Sequence, residues 1–183
     1  ILGLEEFEEI FLADRIRDYI DKDEEGDFEQ NAKNEPLATI EEMLQIPGVT
    51  ARILYGYATE LGEVHQGLAD FVGLWGTGKI NINTADSEVL QAMSPEIDEE
   101  DANNIIAYRE EEPFNTPLDL TKVTGLSDIY KLDGSLLQRV TTVSTYFEVR
   151  ISTEKNTVKK NVRAIIERKG KEAITLFWKE REN

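Results

Sequence analysis

The sequence predicts an α+β protein: a helical domain followed by a three-stranded antiparallel meander. Three observations carry this reading. Apolar residues recur at spacings near three and four over most of the chain, the spacing switches to two from Tyr146 onward, and the sign of the charge changes at the same place. The 183 residues hold 20 Lys+Arg against 37 Asp+Glu, a net charge of -17. From Tyr146 on there are 10 basic and 6 acidic residues, which leaves 10 basic against 31 acidic before it. Residues 1–142 are therefore expected to form an acidic α-helical domain, with an acidic loop over 18–35 and hairpin units over 36–126. Residues 143–183 are expected to form the meander.

The elements follow in order. Leu4, Phe7, Phe11, Ile16 and Ile20 with acids between them predict an amphipathic helix. The acidic loop follows it. Then Pro36–Val49 and Pro113–Leu126 align without a gap, and each copy predicts the same short helix. Thr39 and Thr116 are placed as N-caps whose hydroxyls accept from the third helical N–H, and Glu42 and Asp119 take the reciprocal position. Pro117 suits the first helical position, and Gly48 and Gly125 close the two copies. Between them Thr84 is expected to begin a helix carrying Val89, Leu90 and Met93, and Asp98 another carrying Ala102, Ile105 and Ile106. In the meander Phe147, Val149 and Ile151 alternate with polar residues. Val158, Val162, Ala164 and Ile166 follow a turn at Glu154-Lys155-Asn156, and Ile174, Leu176 and Trp178 follow one at Lys169-Gly170-Lys171. A meander of this kind has one apolar face that another element must cover.

The composition narrows the chemistry. Without cysteine there is no thiol catalysis, no Cys-ligated zinc and no disulfide. The acidic charge opposes approach to nucleic acid or anionic lipid. No apolar run approaches the roughly 20 residues that span a bilayer, and none has the layout of a signal peptide. Gly73–Lys79 has the glycine and lysine spacing of a phosphate-binding loop. Ile80 stands where the magnesium-binding hydroxyl belongs, no strand precedes it, and a glycine-rich loop is the expectation. His65 is the sole imidazole, has no partner nearby in sequence, and reads as polar surface. Nothing here predicts an enzyme.

The tandem short helices with a Pro-Gly turn suggest helix-hairpin-helix units, which can offer backbone N–H groups to phosphate. Thr50 replaces the second glycine of the first unit, and Pro95-Glu96-Ile97-Asp98 places acids at both glycine positions of the middle one. Packing is the expected role. Asp21-Lys22-Asp23-Glu24-Glu25-Gly26-Asp27 places oxygen donors at alternate positions and glycine sixth, like the front of a calcium loop, but Ala32 holds the last ligand position. A looser calcium site is expected, with Asp21, Asp23, Glu25 and Asp27 as ligands. A solvated acidic loop is the alternative.

Lys79-Ile80-Asn81-Ile82-Asn83-Thr84-Ala85, then Glu88-Val89-Leu90, the run from Asp98 to Arg109 and Pro113-Phe114 resemble two families. One is the minor pseudopilin K of type II secretion (general secretion pathway protein K). The other is the competence DNA-uptake protein with a helix-hairpin-helix domain. The first fits across almost the whole chain, through Ala13–Asp23, the Pro36–Thr39 step into Pro47-Gly48-Val49, and Tyr146-Phe147-Glu148-Val149. Two departures are Tyr19 for the family's Trp and a shortened motif at Gly26-Asp27-Phe28-Glu29.

This resemblance implies a pilin-like protein with a large helical domain inserted ahead of the last strands of a small, here truncated, pilin-like sheet. It also implies calcium in the helical domain, and a membrane-embedded helix and first strand or strands ahead of Ile1. The implied function is non-enzymatic: capping the tip of the type II secretion pseudopilus at the periplasmic face of the bacterial inner membrane, in a hetero-oligomer with other minor pseudopilins. A DNA-binding or competence-type adaptor is the alternative.

Overall fold

The computed structural model describes residues 6–23, 25–29, 32–127, 135–156 and 158–182, and the chain falls into two units, Ile1–Leu74 and Trp75–Asn183. In the first unit helix α1 (Glu6–Ile20) lays Leu12 and Tyr19 into a core with Met43, Ile46, Val49 and Leu54, and Ile16 and Ile20 pack at its margin. The buried stripe is rotated from the expected one. Phe11 remains 40% exposed while Leu12 is buried, because the Phe11 ring sits edge-on to Phe28 at 5.8 Å beside the Arg15 guanidinium. Leu4 and the Phe7 side chain, both assigned to that stripe, lie outside the described residues.

The internal repeat is present as two matching turns of 3₁₀-helix, Ile40–Gln45 and Pro117–Lys122. Their N-caps share extended backbone, with φ -139° at Thr39 and -136° at Thr116. Equivalent N–H groups close them: Ile46 to Met43 O and Val123 to Leu120 O, then Val49 to Ile46 O and Leu126 to Val123 O. Gly48 and Gly125 both adopt positive φ, 95° and 89°, where a side chain is strained. The expected Thr39 hydroxyl cap does not form. The carboxylates carry the capping instead: Glu42 accepts from the Ala38 N–H, and Asp119 from those of Asn115 and Thr116.

Asp119 also accepts from Lys122 at 2.9 Å. That bond, aided by the Thr116 and Asn115 N–H groups and opposed by partial desolvation, lowers its pKa to about 2. The folded value lies below the ordinary one, so this contribution is complete above about pH 4 and disappears as pH falls through about 2. Asp119→Asn should therefore flatten the urea midpoint against pH over that interval; curves parallel to the parent's would refute the assignment.

Between the 3₁₀ turns of the first and second units, Ala51–Tyr55 (α2) leads to a short hairpin pairing Tyr57–Ala58 (β1) with Val64–His65 (β2). Tyr57 lies between the His65 ring, stacked at 4.5 Å, and the Arg52 guanidinium, 3.4 Å from its centroid. His65 is exposed, as expected of polar surface. Leu68–Phe71 (α3) ends this unit.

In the second unit Ile80–Asn81 (β3) pairs in parallel with Val140–Thr141 (β4), a long-range closure that the sequence reading did not anticipate. Helix α4 is Ser87–Gln91 with Asp86 as N-cap. Thr84 does not begin it; its N–H closes a turn onto Asn81 O at 3.0 Å. Helix α5 (Glu99–Glu111) does begin at Asp98, whose carboxylate accepts from the Asp101 N–H at 2.9 Å. Leu90, Met93, Ala102 and Ile105 enter a core with Ile82, Phe114, Leu120, Val123 and Val140, and Ile106 is at its edge. Leu136–Arg139 (α6) precedes β4.

The meander is the antiparallel sheet β5 (Tyr146–Lys155), β6 (Val158–Lys169) and β7 (Glu172–Glu182), in that order. Asn156 and Gly170 take left-handed φ of 58° and 65° at its two turns. Phe147, Val149 and Ile151 lie opposite Ile166, Ala164 and Val162 on one face, and Trp178 joins them beside Ala164. A bulge between Ile165 and Ile166 changes the register, so Ile174 lies opposite Glu167 on the other face and not with Trp178. Simple alternation had placed both on one face. Phe147, Ile151 and Trp178 stay 42%, 47% and 57% exposed.

Candidate functional site

The acidic loop begins where α1 ends. Asp18, on the last turn, is 7% exposed and accepts from the Phe28 N–H at 3.1 Å. This draws the chain back over the helix end. Gly26 lies so close that a Cβ there would sit 2.4 Å from Asp18 Oδ2. The fold thereby brings one carboxylate oxygen each from Asp21, Asp23 and Glu29 within 4.8 Å of one another. Oxygens bound to one calcium-sized ion at 2.3–2.6 Å lie no more than about 5 Å apart, so these three fit a single hard cation.

The polar accounting points the same way. Asp21 Oδ1, Glu29 Oε1 and Asn34 Oδ1 are buried without a hydrogen-bond partner. Buried acceptors left unpaired are costly, and a cation would satisfy them. Desolvation, then the neighbouring Asp23 and Asp18 carboxylates, push the Asp21 pKa up, with Arg17 opposing. Asn34, held at φ 52°, donates to Glu29 Oε2 at 3.2 Å, and its own N–H is tied to Tyr19 O.

Of the four ligands expected from the sequence, Asp21 and Asp23 stand in this cluster. Glu25 and Asp27 are exposed, and the Glu25 N–H donates to Asp23 Oδ1 at 3.0 Å. Glu24 lies outside the described residues. Glu29 continues the alternate-position series of Asp21, Asp23, Glu25 and Asp27 by one more step, which is the signal that could have found it. Asn34 had no such signal, since only the left-handed turn after the loop directs it there.

The glycine-rich segment is a loop that runs straight into β3 with no helix at Lys79. Trp75, Thr77, Lys79, Asn81, Ser144 and Tyr146 line a shallow cavity of about 120 Å³ beside it. The two Pro-Gly-type turns carry opposite charges. Arg15 donates to Pro47 O at 3.0 Å, and its guanidinium fills the space over Gly48. At Gly125 the same space is taken by Asp101 Oδ1, 2.7 Å from where a Cβ would be.

The Asn-rich run is a structural knot. Asn83 Nδ2 donates to Phe114 O at 2.9 Å and Thr142 O at 3.1 Å, while its Oδ1 accepts from the Phe114 N–H at 2.9 Å. Asn81 Nδ2 donates to Ser144 Oγ at 2.8 Å, and its Oδ1 accepts from the Asn83 N–H. From α5, Arg109 Nη1 donates to the Ile82 and Ala85 carbonyls, and Tyr108 stacks on Phe114 at 4.8 Å. The motif residues that carried the family resemblance are thus the ones joining β3, α5, the Phe114 segment and the entry to the meander.

Comparison with known proteins agrees with that assignment. Residues 80–139 match the family model described as Type II secretion system (T2SS), protein K. No curated protein shows a significant match. The matched stretch holds Asn81, Asn83, Arg109 and Phe114, and leaves out the acidic loop and the meander. Residues 80–139, which build this knot, are thus similar to the type II secretion protein K family, and the match supports the resemblance read from the same residues.

Proposed function

We infer from the match of residues 80–139 to the protein K family that the chain is a structural component of the type II secretion pseudopilus, a cell-envelope machine. We propose the finer reading that it is a non-enzymatic subunit capping the pseudopilus tip, at the periplasmic face of the inner membrane, assembled with other minor pseudopilins. The observation that carries it is the family match on a helical body continuous in sequence with a meander whose apolar face is exposed. Such a face is stable only when another element covers it. In a pilin-like sheet that element is the long N-terminal helix, which would also anchor the protein; no helix among the described residues is long and apolar enough to cross a membrane.

Calcium in the acidic loop is part of this proposal, supported by the clustered carboxylates and the unpaired buried oxygens. Asp21, Asp23 and Glu29 would hold the ion, with Glu25 and Asp27 nearby in the same loop. The ion would neutralise the loop and tie it to α1. The alternative, a helix-hairpin-helix DNA-binding or competence-type adaptor, meets an obstacle at Gly125, where the Asp101 carboxylate lies against the glycine and would repel a phosphate brought to that turn.

Size-exclusion chromatography with the soluble domains of sibling minor pseudopilins tests the assembly reading. Co-elution is the expected result. Persistent monomers in every mixture, with proteins retaining the base of the N-terminal helix, would overturn it. Salt-sensitive retention of duplex DNA at about 50 mM salt would favour the adaptor.

A further inference from the structure

The face of the meander opposite Trp178 carries an arrangement of charge that its own fold does not need. Strand register puts Arg150, Arg163 and Lys179 side by side across β5, β6 and β7. The next row places Arg181 opposite Asn161, and Lys159 lies one row further on. Like charges directly opposite one another weaken strand pairing. Glu148 answers two of them, accepting from Arg163 at 2.8 Å and also from Arg150. Burial pushes the Glu148 pKa up, but these two arginines outweigh it and the net shift is downward. Lys159, Lys179 and Arg181 are exposed and make no ion pair among the described residues. On the other side of the cation row, Phe177 and Ile174 are 36% and 37% exposed.

We propose that this face docks a carboxylate-bearing surface of another protein subunit, with Phe177 and Ile174 as the apolar part of the contact and Lys179 and Arg181 as its charged border. The inference rests on the assembly reading above and names the chemistry of the partner. An apolar centre beside a charged border is the anatomy of a protein interface. A lipid or nucleic-acid phosphate surface fits less well. Glu148 and Glu154 share the face, and the residues before Tyr146 carry 31 acids against 10 bases, which repel a polyanion at long range. A single acidic protein face needs only the local complement.

The test compares the parent chain with Lys179→Glu/Arg181→Glu in binding to the soluble domains of sibling minor pseudopilins. Both substitutions are on exposed positions of an edge strand, and a milder Lys179→Gln/Arg181→Gln pair guards against misfolding. At about 50 mM salt the Glu pair should bind about thirtyfold more weakly and the Gln pair by an intermediate factor, with both differences shrinking as salt screens the contact. Unchanged affinity in both variants would overturn this docking face and leave the assembly reading intact. No association of the parent chain with any sibling would overturn both. Two other results would also overturn the inference: parent binding to phosphatidylglycerol vesicles that the Glu pair abolishes, assigning the face to membrane, or salt-sensitive self-association lost in the same pair, assigning it to a second copy.

Discussion

Asn83→Ala should lower the unfolding free energy by about 3 kcal/mol, one of the largest effects expected of any single polar substitution in this chain. Its side chain makes three hydrogen bonds, two donated and one accepted, with Phe114 and Thr142. Each net bond contributes about 1 kcal/mol, and truncation leaves backbone groups of a half-buried junction unpaired. Asn83→Asp separates the parts. The carboxylate still accepts from the Phe114 N–H but cannot donate, and it faces the two carbonyls it formerly bonded. It should therefore also be strongly destabilised despite its nearly identical shape. Urea unfolding of the second unit's core decides the matter; a change under about 0.5 kcal/mol for Asn83→Ala would show the knot to be incidental.

Calcium should raise the melting temperature of the parent protein, and Asp21→Asn should abolish that rise while stabilising the chain in EDTA. The two signs come from one cause. Without an ion, Asp21 is pushed up in pKa by desolvation and by the Asp23 and Asp18 carboxylates, so removing its charge relieves repulsion. With an ion, that same charge becomes a ligand. A hundredfold excess over the dissociation constant corresponds to about 2.7 kcal/mol of added stability. Melting curves with calcium, and with EDTA, for the two proteins give four values. An unchanged parent in calcium would mean the acidic loop is simply solvated. A rise that survives Asp21→Asn would move the ion elsewhere. Glu29→Gln provides an independent check on the third carboxylate of the cluster.

The Asp21 cluster shows where sequence reading stops. Alternate acids are visible in the chain, and they correctly mark Asp21 and Asp23 as neighbours. Which further oxygens join them depends on Asp18 holding the Phe28 N–H and on Asn34 at positive φ, contacts between residues ten and more apart whose geometry no local pattern encodes. The α1 stripe is similar. A period of 3.6 is legible, but its phase was set by Phe28, which takes Phe11 out of the core and turns Leu12 in.

The sequence by itself determined the α+β class, the two matching short helical turns with their glycine closures, the start of α5 at Asp98, both turns of the meander and the resemblance to the protein K family. These are local matters: a carboxylate cap, a left-handed turn residue and a switch from period 3.6 to period 2 act within a few residues and leave their mark in composition. Only the tertiary structure decided the parallel pairing of β3 with β4, the bonds of Asn83 that span 31 and 59 residues, the faces of Ile174 and Trp178, and the cation row across three strands. Each depends on register between distant segments. A single bulge at Ile165/Ile166 is enough to exchange the two faces of β7, because side chains alternate with period two and one extra residue reverses every position beyond it.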